Sequence, residues 1–358
     1  MKLLGRPTRL APGILFALLS AALFGASTPF AKLLLGAVDP WMLAGLLYLG
    51  CGIGLGAARA AQSLSSHQVA EAPLRRADLP WLAGVILAGG IIGPVLLMFG
   101  LTQTPASAGA LLLNLEGLAT IAIAWLVFRE NVDLRIFIGA LAILLGAVLL
   151  SWQSDGGGFA VGWGALAIAG ACLAWGIDNN LTRKLSAADP VQIAMVKGFA
   201  AGAINIVLAL LRDSALPAWP ALLGAGAVGL LGYGISLVLF VLALRHLGTA
   251  RTGAYFSTAP FVGAVLAVAM LGEPITASFV AAAALMAIGL YLHVAERHEH
   301  EHRHEAIEHE HRHVHDEHHE HAHNPDDPTG EPHAHPHRHA PMVHKHPHYP
   351  DLHHRHSH

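Results

Sequence analysis

Long apolar stretches separated by short polar turns fill the chain from residue 12 to residue 294. Most stretches are about 20 residues long, the length that an α-helix needs to cross the hydrocarbon core of a bilayer. The pattern therefore predicts ten membrane-spanning helices in two sets of five. They cover Pro12–Leu35, Pro40–Ala58, Leu79–Leu101, Pro105–Phe128, Leu134–Trp152, Val161–Lys184, Pro190–Leu211, Trp219–Leu244, Thr252–Leu271 and Ile275–Val294.

An internal repeat relates the two sets of helices. Residues 101–152 align without a gap on residues 244–295 when the chain is shifted by 143 positions. Glu130, in a charged turn, then coincides with Glu273, and Gly146 coincides with Gly289. A unit of five helices that is repeated once must cross the membrane in opposite senses. The sequence therefore predicts an inverted repeat, a construction found in alternating-access transporters.

Composition and charge agree with a membrane protein. Of 358 residues, 54% are hydrophobic and 13% are charged, against roughly 25% charged residues in soluble domains. Lys and Arg gather on one side of the predicted helices, which places both termini in the cytoplasm of a bacterial inner membrane. The basic residues form no stripe, so no nucleic-acid partner is expected. Cys51 and Cys172 lie in apolar helices, form no C-x-x-C motif and are interpreted as packing residues.

The first helices of the two halves also correspond. Phe24-Gly25 aligns with Trp175-Gly176, Lys32 with Arg183, and Asp39-Pro40 with Asp189-Pro190 after one indel. With these features the chain resembles the drug/metabolite transporter superfamily, EamA type, over about residues 10–295. The resemblance implies an all-α membrane protein with ten transmembrane helices as two inverted five-helix repeats. Members usually carry a proline in the middle of the fourth and ninth helices; Pro260 fits, whereas Gly117 stands at the aligned position.

Four segments follow from this reading. Residues 1–10 are a cytoplasmic N-terminus, residues 11–152 and 161–294 are the two EamA-like repeats, and residues 295–358 are a cytoplasmic tail. The tail holds 23 of the 26 histidines and few apolar residues. Such a composition cannot bury a core, so the tail is expected to be disordered when free.

Glu116 is the strongest candidate for a functional residue in the membrane part. It lies about 16 Å from either end of its predicted helix at 1.5 Å per residue. A carboxylate at this depth is costly, so it marks a solute pathway, a proton site or a cation site. The alternative is a protonated Glu that donates one hydrogen bond to a neighbouring helix. Asn114 is a second polar residue of this helix, on a different face.

A further polar cluster is predicted near the end of the sixth helix. Asp178 and Lys197 both lie about 9–10 Å deep, and a buried ion pair between them would relieve the cost of two isolated charges. The pair is interpreted either as a staple between helices or as part of a substrate site. Asn179 belongs to the same cluster, and Trp175 and Tyr255 are candidates for lining a central cavity, although membrane aromatics also serve packing.

The histidine-rich tail is predicted to bind metal. Its alternation of His with other residues has a period of two, so a locally extended segment would put alternate imidazoles on one side. Imidazole suits Ni, Zn, Co and Cu, and several labile ions are expected rather than one tetrahedral site. A pH-responsive polyelectrolyte is the alternative. The candidate ligands are His298, His300, His302, His304, His309, His311, His313, His315, His344, His346, His348, His353, His354 and His356.

The sequence has no Walker-type loop, no dinucleotide fingerprint and no nucleophile–base arrangement, so neither an ATP-driven pump nor an enzyme is expected, and no cofactor is required. The predicted function is secondary active transport of a small solute, with export as the expected direction and a metal-responsive tail. A divalent transition-metal (Ni/Co/Zn) transporter and a membrane-anchored metal sensor or storage protein are the alternatives. Expected partners are membrane lipid, a small-molecule or ion substrate and divalent metal ions; small-residue helix faces would permit a homodimer.

Overall fold

Helices occupy the apolar stretches in the computed structural model of the protein. The structure describes residues 12–64, 73–128, 134–151, 162–182, 184–185, 188–294, 299–304, 308–313, 333–338 and 342–347. The helices of the first half are α1 (Pro12–Leu34), α2 (Pro40–Leu64), α3 (Leu79–Val85), α4 (Gly93–Gln103), α5 (Ala106–Leu112), α6 (Leu115–Phe128) and α7 (Leu134–Ser151). Those of the second half are α8 (Trp163–Thr182), α9 (Pro190–Leu210), α10 (Trp219–Val228), α11 (Ser236–Phe256), α12 (Ala259–Leu271) and α13 (Ala277–Val294).

Three irregular segments connect these helices. A 3₁₀ turn at Arg76–Asp78 precedes α3. Two π-helical segments follow: the first π segment (Ile86–Ile92) joins α3 to α4, and the second π segment (Gly229–Ile235) joins α10 to α11. A π turn adds one residue to the helical turn and is frequently found at functional sites. The two segments begin 143 positions apart, which is the shift of the sequence repeat.

Capping residues mark the ends of several helices. The Asp39 carboxylate accepts the backbone N–H groups of Trp41 and Met42 at the start of α2, and Asp189 does the same for α9. A carboxylate here satisfies amides that lack an intrahelical partner. At its C-terminal end, α12 is followed by Gly272, whose φ of 64° is left-handed and therefore favours glycine.

The membrane character of the helices is clear from their length and their outer faces. Among the described residues, seven helical segments are long and apolar enough to cross a membrane. They are Pro12–Leu34, Pro40–Gln62, Arg76–Gln103, Ala106–Val127, Leu134–Ser151, Pro190–Leu210 and Trp219–Ala243. Large apolar side chains such as Phe137 and Leu144 of α7 are exposed on the bundle surface. The protein is therefore an all-helical, multi-pass membrane protein in this part of the chain, with lipid against these faces.

Two predicted boundaries differ from the structure. The fourth span, predicted as one helix, is interrupted at Leu113–Asn114, because the Asn114 amide and side chain both donate to Leu111 O, at 3.0 and 2.8 Å. Such side-chain bonds compete with the regular helix. The predicted break between the eighth and ninth spans is wrong, since α11 continues through it and ends at Phe256. The interruption comes instead at Ser257–Thr258, ahead of Pro260.

Pairs of helices pack through small residues. The extensive pairings are α2 with α9, α7 with α13, α1 with α11 and α4 with α8. Gly25 of α1 lies so close to α12 that an added Cβ would collide with Ala259 O. Gly139 and Gly289 bring α7 and α13 into similar contact. Close backbone approach is the usual way in which apolar helices associate in lipid, where no hydrophobic driving force acts between them.

In the tail the structure describes four short strands, and disorder of the free tail stays a prediction. They are β1 (Glu299–His304), β2 (Glu308–His313), β3 (His333–Arg338) and β4 (Met342–Pro347). β1 pairs antiparallel with β4, and β2 with β3. The two-residue alternation of the sequence is compatible with an extended backbone. The predicted ligands His298, His315, His348, His353, His354 and His356 lie outside the described residues, as do Glu130 and Arg183.

Candidate functional site

The predicted ion pair between Asp178 and Lys197 is formed. Lys197 Nζ of α9 lies 2.5 Å from Asp178 Oδ2 of α8, and Thr182 Oγ1 lies 3.2 Å from the other carboxylate oxygen. The side chains are only 8% (Asp178) and 16% (Lys197) exposed. Because opposite charges at this separation cancel, the pair adds polar groups to the interior without adding net charge.

The first π segment lies directly against this ion pair. Gly89 O accepts hydrogen bonds from Tyr48 OH at 2.6 Å and from Trp175 Nε1 at 3.1 Å. Asn205 Nδ2 donates to Gly90 O at 3.0 Å. A π turn changes the regular backbone bonding, and these side chains satisfy carbonyls in that region. Trp175, predicted as a cavity residue, is buried and holds the π segment in place.

Glu116 forms a second polar cluster with the inner side of α8. Asn179 Nδ2 donates to Glu116 Oε1 at 3.0 Å and lies 3.2 Å from Thr120 Oγ1. Asn180 Nδ2 donates to Thr120 O at 3.2 Å. Glu116 lies in the first turn of α6, immediately after the interruption at Leu113–Asn114. The helix break therefore creates a new helix N-terminus inside the membrane, where a carboxylate is favoured by the helix dipole.

Asn179 is exposed, although it points away from the lipid-facing side of α8. That side is marked by the exposed Leu173 and Ile177. At about 100° per residue, Asn179 lies roughly 120° and 160° away from them around the helix. Glu116 beside it is half-buried, and an added Cβ at Gly117 meets nothing within 4 Å among the described residues. These observations indicate that space next to Glu116 is not filled by the described residues.

A run of aromatic rings lies beside the two polar clusters. Tyr48 and Tyr233 have ring centroids 5.4 Å apart, and Phe24 lies 6.1 Å from Tyr233 and 5.5 Å from Phe256. Sets of aromatic side chains with a few convergent polar groups are typical of small-molecule sites.

Two predicted site residues are placed elsewhere. Asn114 is 7% exposed, donates to Leu111 O and has its amide 3.8 Å from Met286 Sδ of α13. It therefore belongs to the helix interruption and its packing. Tyr255 is half-buried near the end of α11, and its carbonyl accepts a bond from Thr258 Oγ1 at 2.6 Å. Asn114 lies in the first helix interruption, and Tyr255 lies just before the second one.

Four participants escaped the sequence analysis: Tyr48, Thr120, Thr182 and Asn205. Asn205 is a polar residue in the middle of an apolar helix and could have been found by the argument that singled out Glu116. The other three carry hydroxyl groups that apolar helices tolerate, so no sequence signal distinguishes them. Among the residues that the structure describes, no three His, Cys, Asp or Glu side chains converge on a metal site.

Comparisons with known proteins agree with the membrane character of the fold. The chain matches the EamA-like transporter family over residues 11–152 and 162–295. An uncharacterized transporter of Methanothermobacter thermautotrophicus is 30% identical over 269 residues, which cover 70% of this chain and 77% of that protein. One solved crystal structure is similar with a TM-score of 0.57 and 22% identity, covering 78% of this chain and 94% of its own. At that identity the likeness concerns the fold alone.

Proposed function

Because the chain belongs to the EamA-like transporter family, we propose that it is a secondary active transporter that moves a small solute by alternating access. One observation carries the proposal: Glu116 lies half-buried in an apolar bundle, held by the exposed Asn179 at 3.0 Å and with unfilled space beside it. A carboxylate within a membrane-spanning segment is rare and costly, so by default it marks a functional site. The Asp178–Lys197 pair is internally neutral, so Glu116 supplies the net charge of this region.

We further propose that the chain is an inverted repeat of five plus five membrane-spanning helices. Three matched features support it. The two π segments begin 143 positions apart, Asn114 and Ser257 in the two helix interruptions are also 143 positions apart, and α1–α11 packing has a counterpart in α8–α4 packing. A repeat of this kind supplies two similar halves that can exchange conformations, which is the physical basis of alternating access.

In this proposal Glu116 carries the coupling proton or contacts a cationic part of the solute. The aromatic run from Phe24 to Tyr48 would contact an apolar part of the solute. The Lys and Arg distribution supports a bacterial inner membrane with both termini in the cytoplasm. Export is the proposed direction of transport. The histidine-rich tail would bind Ni, Zn, Co or Cu there and tune activity to metal.

A divalent-metal transporter is the second candidate, and the 23 tail histidines are the observation that favours it. The membrane part offers little to a soft metal, since the described helices bring no three candidate ligands together. Ions concentrated by the tail would have to pass a region whose polar groups are one carboxylate, an ion pair and amides. A metal sensor or storage protein anchored by this fold is the third candidate.

Flux through proteoliposomes tests these candidates together. Wild type, Glu116→Gln and a truncation after Ala295 are compared for radiolabelled nickel, cobalt and zinc, and for proton-coupled currents with a panel of small organic solutes. Gln has the size of Glu and keeps an oxygen that can accept the Asn179 bond, so the fold should survive. Gly117→Ala is the matched control, because its Cβ meets open space.

We expect a proton-coupled current with at least one organic solute, lost in Glu116→Gln and retained in Gly117→Ala and in the truncation. Metal flux that is lost in Glu116→Gln but retained in the truncation would show that the transported solute is a metal ion and not an organic molecule. Metal binding without flux of any kind, abolished by the truncation, would favour the sensor or storage protein. Equal current in wild type and Glu116→Gln would refute the role of this carboxylate.

A further inference from the structure

The Glu273 carboxylate caps a helix of the other half of the protein. Gly272, in its left-handed conformation, ends α12 and turns the chain so that Glu273 reaches the start of α5. Glu273 Oε1 accepts the Ala106 N–H at 2.7 Å, and Oε2 accepts the Ser107 N–H at 2.9 Å and the Ser107 hydroxyl at 2.5 Å. These are the first amides of α5, which have no intrahelical partner, and a carboxylate there is favoured by the helix dipole.

Lys32 binds the other side of the same turn. Its Nζ, near the end of α1, donates to Leu101 O and, at 3.0 Å, to Thr104 O. Both carbonyls belong to the last turn of α4 or to the residue after it, where a cation is favoured. The turn from Leu101 to Ser107 is therefore held between a cation and an anion, whose charges also attract each other.

The Glu273 bonds join parts that the proposed mechanism must separate, and the Lys32 bonds fix the same turn to α1. The turn belongs to the first half of the chain and Glu273 to the second. Below the turn, α5 packs against α12, and a Cβ added at Gly263 would lie 3.0 Å from the Ala110 Cβ. Beyond the helix interruption, by contrast, α6 packs chiefly on α8, and the space at Gly117 is open. The helices are thus tightly packed at the Glu273 end and less tightly packed beside Glu116.

We propose that Lys32 and Glu273 form a latch that keeps the pathway closed at this end of the bundle. The latch opens when the Leu101–Ser107 turn leaves Glu273, so that α5 separates from α12. The hydrogen bonds that break in this step are all bonds to helix ends, and water can replace every one of them. No secondary structure is lost, which makes the contact suitable for repeated release. The latch rests on the proposed transport function for its purpose, although its formation and release do not depend on the identity of the solute.

The test measures access to the α5–α12 contact without any substrate. Ala110, 1% exposed, is replaced by Cys in a protein whose Cys51 and Cys172 are both replaced by Ala. The protein is reconstituted in nanodiscs, and the rate of labelling by a water-soluble maleimide is followed. The Ala110→Cys replacement is present in every variant that is compared, so its own effect on packing is common to all of the labelling rates. Asp213→Asn is the matched control. Arg212, the neighbour of Asp213, lies over the Trp41 ring, which places Asp213 at the same end of the bundle as the latch. Asp213 has a left-handed φ of 58°, which Asn tolerates.

Glu273→Gln and Lys32→Met are each expected to raise the labelling rate about tenfold by shifting the population toward the open end. Lys32→Arg, which keeps the charge, should stay close to the starting rate. Ser107→Ala removes only the hydroxyl bond and should give a smaller increase, and it serves if the other variants do not fold. Labelling rates that match Asp213→Asn in all of these variants would overturn the latch.

Solute flux separates failure of the latch from failure of the proposed function. Faster labelling without flux of any tested solute would support the latch and contradict the proposed transport function. Flux in wild type, combined with unchanged labelling rates in the latch variants, would contradict the latch and support the proposed transport function.

Discussion

The Asp178–Lys197 pair provides the sharpest energetic test of the structure. Replacing Asp178 by Ala leaves the Lys197 ammonium without its partner in an apolar bundle, and Lys197→Met leaves the carboxylate alone. Replacing both removes the two charges together, so neither is left uncompensated. The double variant should therefore be more stable than the Lys197→Met variant or the Asp178→Ala variant, although it carries more changes.

The magnitude follows from the burial of the pair. Removing one partner of a fully buried ion pair costs about 3–5 kcal/mol, whereas replacing both by apolar residues is often close to neutral. Lys197 is 16% exposed and Asp178 8% exposed, so some solvation of the orphaned charge remains. We expect about 2–4 kcal/mol of destabilisation for each single variant and a coupling energy of at least roughly 2 kcal/mol in the double-mutant cycle.

Unfolding in detergent, followed by circular dichroism and by the accessibility of Cys51 and Cys172 to a thiol reagent, measures the cycle. Both cysteines are buried and free, so they report loss of packing. Thr182→Val, which removes only the weaker contact to Asp178, is the control and should cost no more than about 1 kcal/mol. Single variants whose effects are mild and simply add up in the double variant would refute an energetically coupled pair.

Three further predictions concern packing around the site. Gly89→Ala should displace the Asp178 carboxylate, lowering thermal stability and solute flux, whereas Gly117→Ala should leave both unchanged because its Cβ meets open space. Trp175→Phe removes the Nε1 bond to a π-segment carbonyl and should cost about 1 kcal/mol, seen as a lower unfolding midpoint. Gly25→Val should prevent the close approach of α1 and α12, and folded protein recovered at the wild-type yield and midpoint would contradict that packing.

Hydropathy and residue spacing alone were enough to predict a helical membrane protein. Apolar stretches of about 20 residues permit only helices in lipid, because every backbone polar group must be satisfied within the segment. Depth along a helix can be counted, so the cost of burying a charge singled out Glu116 and Asp178 before any contact was known. The same count predicted Lys197 as the partner, since both residues lie at one depth on consecutive helices.

Which groups meet, and where the helices are interrupted, became visible with the packed helices. The break at Asn114 depends on whether a side chain takes a backbone carbonyl, a local competition that hydropathy does not record. Tyr48, Trp175 and Asn205 come from three different helices to bind carbonyls of one π segment, and no sequence spacing relates them. The contact of Glu273 with α5 spans more than 160 residues. Such partners are selected by packing in three dimensions, which is the information that a one-dimensional pattern lacks.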